Sequence, residues 1–191
     1  MQQNERDDAF LSIRKDAAIA LKAISLPKDA AVLDVGTGGG KFAISLAFEG
    51  YNVLTGQPYS DAMNYGHESW EEKAQAHGVR EKIQFQAFDA SNMPFSENTF
   101  DAVFFFGVLH HVDEPKRITV FREALRVAKP SGAVVFFEPT KAMLEKLWVD
   151  DHSHPLAANP ADYIGDEKVR ERRLQGDMMD IFIYEKTSAN T

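Results

Sequence analysis

Apolar and polar positions follow two different patterns along the chain. Residues 8–25 place apolar side chains at three- and four-residue steps, which predicts a helix with one apolar stripe. Residues 102–107 and 133–137 are instead unbroken apolar runs. Such runs are typical of strands that are buried on both faces of a parallel sheet. The pattern therefore predicts helices that pack on both sides of a central sheet.

The remaining helices and strands are predicted from the same two patterns. The predicted strands cover 31–35, 52–55, 82–88, 102–107 and 133–137, and the later helices cover 41–49, 60–77, 113–128 and 141–150. Residues 129–132 predict a break before the fifth strand. Two further strand-like runs, 168–174 and 178–185, lie too close together for a crossover and must form an antiparallel hairpin. The sequence thus predicts a single α/β domain, a doubly wound, seven-stranded, mostly parallel sheet with one antiparallel strand.

Composition narrows the class of protein. The chain of 191 residues with 44% apolar content suffices for one packed domain. The absence of cysteine excludes disulfides, cysteine nucleophiles and thiolate metal sites, and it fits a reducing compartment. Residues 1–8 are polar, and the run 102–109 is too short to cross a bilayer, so we expect no signal peptide and no membrane partner. A cytoplasmic protein is the resulting expectation.

The charge balance disfavours nucleic acid as a partner, because the formal net charge is −8. One basic cluster lies in the first strand of the predicted hairpin and consists of Lys168, Arg170, Arg172 and Arg173. Charges at that position discourage pairing at a sheet edge, and we favour this role over a nucleic-acid contact. The expected partner is a small molecule, bound by a monomer or a homodimer.

A glycine-rich loop follows the first predicted strand. Four of the five residues 36–40 are glycine, at the place where doubly wound folds bind ligands. A phosphate-binding Walker loop does not fit, because Val35 stands at its first glycine and Phe42 replaces its hydroxyl residue. The loop therefore belongs to another class of nucleotide site.

A dinucleotide site fits this loop only in a relaxed form. Its three small residues would be Gly38, Gly40 and Ala43, which start late relative to the strand. The acid that such a site needs about twenty positions further on is replaced by Gln57. A dinucleotide site therefore stays open as the weaker of two interpretations of the glycine-rich loop.

The stronger interpretation comes from a family resemblance. An acid followed by three alternating glycines, here Asp34, Gly36, Gly38 and Gly40, resembles the first motif of the class I S-adenosylmethionine (SAM)-dependent methyltransferases. Further similar segments follow in the family's order, namely 88–95, 100–103, 108–112 and 126–132. The closing hairpin is also similar to the reversed strand of the methyltransferase sheet. The resemblance covers nearly the whole chain and implies a Rossmann-like fold that binds SAM.

The resemblance also implies which residues hold the cofactor: Asp34, Gly36, Thr37, Gly38, Gly40, Gln57, Asp89, Ala90 and Gly107. In the family, the acid at the end of the first strand helps to anchor the ammonium group, which is the role of Asp34. The aspartate after the third strand accepts a hydrogen bond from the adenine amino group, which is the role of Asp89. The family's ribose-binding acid is replaced by Gln57, or by Pro58 if the alignment shifts by one position.

The implied activity is direct, in-line methyl transfer to a small-molecule acceptor. Such a reaction depends mainly on alignment and exclusion of water, and it needs a general base only when the acceptor must lose a proton. His110 and His111 follow the fourth strand and are the catalytic candidates, and Glu138 at the end of the fifth strand is another. Each of these side chains could also be purely structural.

A metal site is not expected from the sequence. The acidic and histidine residues after the fifth helix are Asp150, Asp151, His152 and His154, and no second cluster matches them. The three aromatic residues that could line an acceptor pocket, but could equally pack, are Tyr59, Trp70 and Trp148.

The predicted layout assigns 1–28 to an N-terminal helix and possible cap, 29–139 to the cofactor-binding half, and 140–191 to a helix plus the closing hairpin. Two other functions stay open. The chain could bind SAM as a sensor or a non-catalytic subunit, or it could be an NAD(P)-dependent reductase.

Overall fold

Strands and helices alternate along the part of the chain that this computed structural model describes, residues 2–59 and 69–187. They are α1 (Gln2–Ile24), β1 (Val32–Val35), α2 (Lys41–Phe48), β2 (Val53–Gly56), α3 (Trp70–Ala76), β3 (Ile83–Phe85), β4 (Phe100–Phe106), α4 (Glu114–Val127), β5 (Ala128–Pro139), α5 (Lys141–Asp150), β6 (Val169–Gln175) and β7 (Met179–Lys186). Short 3₁₀ turns span Arg80–Lys82, Leu109–His111 and Pro160–Tyr163. The predicted helix start at Ser60 and Asp61 lies outside the described residues.

The strands form one seven-stranded sheet in the order β3-β2-β1-β4-β5-β7-β6. Strands β1 to β5 are parallel to one another, whereas β7 is antiparallel to both β5 and β6. The predicted fold class is confirmed, including the single reversed strand. That strand is β7, which lies between β5 and β6 and not at the edge.

Two hydrophobic layers cover the two faces of this sheet. On one face α1, α2 and α3 pack against side chains such as Val32, Phe104 and Val135. On the other face α4 packs against the intervening positions, such as Val103 and Val134. Because both faces are covered, the central strands need apolar residues at every position, and this explains their unbroken apolar runs.

The predicted strand bounds lie within one or two residues of the observed ones, except at the third and fifth strands. The predicted strand 82–88 is only Ile83–Phe85, because a 3₁₀ turn precedes it and the chain then follows β2 through single backbone hydrogen bonds. The predicted break at 129–132 is a bulge inside β5, since Phe100 pairs with Ala128 but Ala102 pairs with Ala133. The extra residues are accommodated because the bulge is stabilised on both sides by ladder pairs.

The N-terminal helix is tied to the turn of the closing hairpin. The carboxylate of Asp16 is fully buried and accepts the backbone N–H groups of Asp177, Met178 and Met179. Gly176 permits this approach, because a Cβ atom there would lie 2.3 Å from Oδ1 of Asp16. Helix α1 is therefore a fixed part of the sheet's covering layer.

The charged strand β6 lies at the edge of the sheet, as predicted. Strand β6 ends the sheet, and its arginines pair with acids on β7: Arg170 and Arg172 with Glu185, and Arg173 with Asp180. Across residues 2–59 and 69–187, no helix combines the length and the apolar character that a membrane span requires.

Candidate functional site

A cavity of about 460 Å³ opens at the carboxyl ends of the central strands. After β1 the chain crosses to α2 on one face of the sheet, and after β4 it crosses to α4 on the other face. The cavity lies between these two crossings, which is the usual ligand position in doubly wound sheets. Its walls are formed by Val35, Gly36, Gly38, Gly56, Gln57, Pro58, Phe88, Asp89, Ala90, Ser91, Phe106, Gly107, Val108, His111, Val112, Asp113, Lys116 and Val120.

The glycine loop forms one wall of this cavity. The N–H of Gly36 donates to the carbonyl of Gly56 over 2.8 Å and continues the pairing of β1 with β2. Gly36 has a φ of +94°, and a Cβ atom there would lie 2.4 Å from a methyl group of Val108. Gly38 also has a positive φ, but a Cβ atom there would meet nothing within 4 Å. The loop thus leaves open space directly over Gly38.

Gln57 lies beside that loop, immediately after β2. Its Oε1 accepts the backbone N–H of Gly38 over 2.7 Å, and its side chain is buried. Because a backbone N–H needs an acceptor, the oxygen must face Gly38, and the amide nitrogen is then available to donate to a ligand. Both Gln57 and Pro58 line the cavity, but only the Gln57 side chain is bonded to the glycine loop.

Asp34 lies beneath the loop and does not line the cavity. It is completely buried, its Oδ2 accepts the hydroxyl of Thr55 over 2.8 Å, and Thr55 in turn contacts Thr37. Among the described residues, no group bonds its Oδ1. Burial raises the pKa of Asp34 to about 7, against the lowering effect of the Thr55 hydrogen bond. Thr37 and Gly40, two other predicted cofactor residues, also lie outside the cavity wall.

Asp89 lies on the opposite wall with Ala90. Oδ1 of Asp89 accepts both the backbone N–H and the hydroxyl of Ser91, each over 2.7 Å. These two bonds hold the pKa of the Asp89 carboxyl below its usual value, so the group is ionised at neutral pH. They use only one carboxylate oxygen, and the other is available to a ligand.

The far end of the cavity is formed by the turn after β4. Gly107 ends the strand with a φ of +66°, and its N–H donates to the carbonyl of Phe137 over 2.9 Å. Arg117 holds the following turn, because its guanidinium donates to the carbonyls of His110 and Val112 and to the hydroxyl of Tyr163. These hydrogen bonds therefore fix the backbone that carries both predicted catalytic histidines.

His110 is buried and paired with a buried acid. Its Nδ1 lies 2.8 Å from Oε2 of Glu138, and both side chains are at most 3% exposed. The same oxygen accepts the backbone N–H of Ala158 over 2.9 Å, whereas no described residue bonds Oε1 of Glu138. The two candidates that follow β4 and β5 in the sequence are thus direct partners.

His111 is exposed and lines the cavity, and His154 joins it from the segment after α5. The ring centroids of His111 and His154 are 5.1 Å apart, and each lies within 5.2 Å of the His110 ring. Although the residue as a whole is exposed, partial desolvation of its ring, followed by the imidazoles of His110 and His154, lowers the pKa of His111. Its imidazole is therefore neutral at pH 7.

Sequence reasoning missed this third histidine. It grouped His154 with His152, Asp150 and Asp151, but the structure brings His154 to the histidines that follow β4 instead. No spacing in the sequence could have signalled this, because more than forty residues, with two helices and a strand, separate the two segments.

The three candidate pocket aromatics take other positions. Tyr59 is 76% exposed, Trp70 packs beneath the Arg80 guanidinium, and Trp148 donates its indole N–H to the carbonyl of His154. None of them lines the cavity, and neither does any described residue of α1, the predicted possible cap.

Comparison with known proteins agrees with this geometry. The 27-O-demethylrifamycin SV methyltransferase of Amycolatopsis mediterranei (strain S699) is 31% identical over 118 residues, which cover 60% of this chain and 42% of that protein. The ubiquinone/menaquinone biosynthesis C-methyltransferase UbiE of Desulfotalea psychrophila (strain LSv54 / DSM 12343) is 35% identical over 111 residues, 57% of this chain and 41% of that protein. The chain thus spans about two fifths of the length of these relatives.

A solved structure shows the same fold. The PH0226 protein from Pyrococcus horikoshii OT3 superimposes with a TM-score of 0.70 at 19% identity, over 92% of this chain and 89% of that one. The model of the methyltransferase domain family matches residues 33–136, which begin within β1 and end within β5. Because this match spans more than half of the chain and includes the cavity wall, the protein belongs to the methyltransferase domain family, as its resemblance to the class I SAM-dependent enzymes implies.

Proposed function

We propose that the chain is a SAM-dependent methyltransferase that transfers a methyl group directly to a small-molecule acceptor. The observation that carries this proposal is one cavity whose opposite walls hold the glycine loop with Gln57 and the Asp89 segment. These are the residues that the family resemblance assigns to the cofactor, and most of that set, including Gly36, Ala90 and Gly107, lines the same space.

The residues present fit an extended, positively charged nucleoside cofactor. A buried oxygen of Asp34 has no partner among the described residues, and the space above Gly38 is open. A carboxylate beneath the glycine loop favours a sulfonium or ammonium group above it. A cavity of about 460 Å³ is also in the range of small-molecule sites.

Each wall has a distinct role in this proposal. The Gln57 amide nitrogen donates to a ribose hydroxyl, and the open oxygen of Asp89 accepts from the adenine amino group. Gly107 and the turn after it lie at the methyl-donating end, where SAM, when bound, supplies a methyl group on an activated sulfonium. The Leu109–His111 turn, held by Arg117, excludes water from this end and positions the acceptor.

The catalytic roles of His110 and His111 are part of the proposal. His111 lines the cavity as a neutral imidazole and can accept a proton from the acceptor. His110 does not line the cavity, so its role is to position the turn through Glu138. The acceptor in this proposal is a small molecule, since the two relatives are named for the methylation of rifamycin and quinone compounds.

Calorimetry with SAM, S-adenosylhomocysteine and NADH tests the cofactor. We expect binding of the first two ligands and none of NADH, whereas binding of NADH alone would support the reductase alternative. Incubation with methyl-labelled SAM and a panel of phenols, hydroquinones and amines then tests turnover. Transfer of label to any of them excludes a purely non-catalytic sensor, and tight SAM binding without transfer to any compound in the panel or in a metabolite extract would favour the sensor.

A further inference from the structure

Three imidazole rings converge beside the cavity from two distant segments of the chain. One ring nitrogen from each of His110, His111 and His154 lies within 4.8 Å of the other two. Three is the number of protein ligands in zinc sites that keep an open coordination position. Imidazole nitrogen also suits other divalent transition metals, such as cobalt, nickel and copper.

Two of these rings are held in the tautomer that a metal requires. Nδ1 of His154 lies 2.9 Å from the carbonyl oxygen of Pro155, which can only accept, so Nδ1 carries the proton and Nε2 carries the lone pair. Nδ1 of His110 donates to Oε2 of Glu138, which also accepts the Ala158 N–H. Metal-binding histidines commonly donate their second ring N–H to a carboxylate or a backbone carbonyl in this way.

The supports of the three rings are themselves fixed. Glu138 is buried at the end of β5, and its Oε2 lies 2.8 Å from Nδ1 of His110. The Trp148 indole donates to the carbonyl of His154 over 2.8 Å and holds that segment against α5. Arg117 holds the His110 carbonyl from the other side. Such outer hydrogen bonds orient ligands before a metal arrives, which lowers the entropic cost of binding.

We propose that His110, His111 and His154 bind a divalent transition-metal ion, with zinc as the expected ion. Bonds of about 2.0–2.1 Å to each nitrogen place tetrahedral ligands roughly 3.3 Å apart, so the rings must close by about 1 Å or more. The exposed His111 and the partly exposed His154 have room to rotate, whereas the buried His110 acts as the fixed ligand.

The site also suggests a class of acceptor, an inference that rests on the proposed function. His111 lines the cavity, so an ion bound to it borders the space for the acceptor. With the lone pair of its ring bound to the ion, His111 acts as a ligand in this arrangement and not as the general base. The open coordination position would take a hydroxyl oxygen and lower the pKa of that hydroxyl, as a metal ion does for bound water. An acceptor with a hydroxyl group, methylated on oxygen, is the class that this arrangement favours.

Metal binding can be measured without cofactor or acceptor. The chain is prepared without a histidine tag, treated with a chelator, and titrated with Co²⁺ followed by Zn²⁺. We expect one Co²⁺ ion per chain, with the visible absorption of a tetrahedral nitrogen-ligated site, and displacement of that ion by Zn²⁺. A titration with no saturable Co²⁺ absorption and no Zn²⁺ binding by calorimetry would overturn the proposal.

Substitutions identify the ligands. His154→Ala and His111→Ala remove side chains that are not buried, so both variants are expected to fold, and each should weaken Co²⁺ binding by more than the roughly 10–100-fold that loss of an outer hydrogen-bond partner costs. His152→Ala is the matched control, because that exposed histidine lies two residues from His154 and bonds only the carbonyl of Trp148 among the contacts described. Co²⁺ affinity that is unchanged in His154→Ala and His111→Ala, or lowered equally in His152→Ala, would exclude this cluster.

The two proposals fail in distinguishable ways. If SAM binds but Co²⁺ does not, the metal site is wrong and the proposed function stands. If Co²⁺ binds with the expected ligands but SAM does not, the metal site stands and the proposed function is wrong. If both bind, chelation followed by Zn²⁺ addition should abolish and then restore methylation of a hydroxyl acceptor; full activity in the chelated, metal-free protein would exclude the role in acceptor binding.

Discussion

Two buried carboxylates lie near the carboxyl ends of parallel strands in the same sheet, but they have different hydrogen-bond partners. Asp34, on β1, is bonded to a neutral hydroxyl, and burial raises its pKa to about 7. Glu138, on β5, is bonded to an imidazole and a backbone N–H. Each has one oxygen without a partner among the described residues. Within residues 2–59 and 69–187, the first acid thus has no cationic partner, whereas the second has an ionisable one, the imidazole of His110.

In the two proposals, this difference assigns cofactor binding and metal binding to opposite sides of the cavity. The β1–β2 side is built from one continuous motif whose acid favours a cation brought by the ligand. The β4–β5 side is assembled from three separate segments whose acid orients a ring of the protein. We therefore expect cofactor binding and metal binding to respond to different substitutions, which the following predictions address.

The largest expected effect concerns the pH dependence of stability. Between about pH 4 and pH 7 the folded chain keeps the Asp34 proton that the unfolded chain has released, so this group makes the free energy of unfolding fall as pH rises through that window. The shift from 3.8 to about 7 corresponds to at most about 4 kcal/mol. Asp34→Asn should flatten the decrease in denaturant titrations over this range.

The control for that prediction is Asp89→Asn, which removes an exposed acid from the same edge. The pKa of Asp89 is lowered in the folded chain, so this acid contributes stability that is present above its unfolded pKa and is lost as pH falls. A fall in stability between pH 4 and pH 7 that is as steep in Asp34→Asn as in the wild-type chain would show that Asp34 is not the responsible group.

The next effect is loss of cofactor binding without loss of metal. Gly38→Val places a side chain in the open space of the cavity, and we expect SAM affinity to fall by about 100-fold or more, roughly 3 kcal/mol. Gly78→Val is the matched control, because Gly78 also has a positive φ and open space but lies outside the cavity. Both should lose about 1–2 kcal/mol of stability through backbone strain. Equal SAM affinity in the two variants, measured by calorimetry, would contradict the placement of the cofactor.

A smaller effect is expected from the support of the histidine turn. Arg117→Lys removes the guanidinium fork that holds the carbonyls of His110 and Val112, and should cost about 1–2 kcal/mol of stability. Co²⁺ affinity should fall while SAM affinity stays within twofold. Arg122→Lys, an exposed residue on the same helix, provides the comparison. A loss of SAM affinity that exceeds the loss of Co²⁺ affinity would contradict the assignment of cofactor binding and metal binding to different sides of the cavity.

The smallest effect concerns the ribose end. A carboxylate in Gln57→Glu can keep the Gly38 N–H on one oxygen and offer the other to a ribose hydroxyl, so SAM should bind about fivefold more tightly, roughly 1 kcal/mol. Gln75→Glu makes the same charge change on an exposed face of α3 and should have no effect. Weaker SAM binding in Gln57→Glu, by calorimetry, would argue against Gln57 as the ribose partner.

The fold and the cofactor side of the site could be predicted because their signals are local. Apolar periodicity, the glycine spacing and the short link in the hairpin each act within about ten residues. The bulge in β5 was not predictable, since it depends on the contact of Gly132 with the backbone of Phe100 and Asp101 on a neighbouring strand. The contact of His154 with His110 could not be predicted either. It also depends on a contact between distant segments, which is set by the path of the chain after α5.

The position of β7 also has a consequence for synthesis. The outer edge of β5 pairs only with β7, although β6 precedes β7 in the chain. While the nascent chain emerges from the ribosome, the apolar edge of β5 therefore stays open until residues 179–186 appear. During that interval it is a template for wrong strand pairing, and chaperone contact or a translational delay there would change the yield of folded protein without altering either side of the cavity.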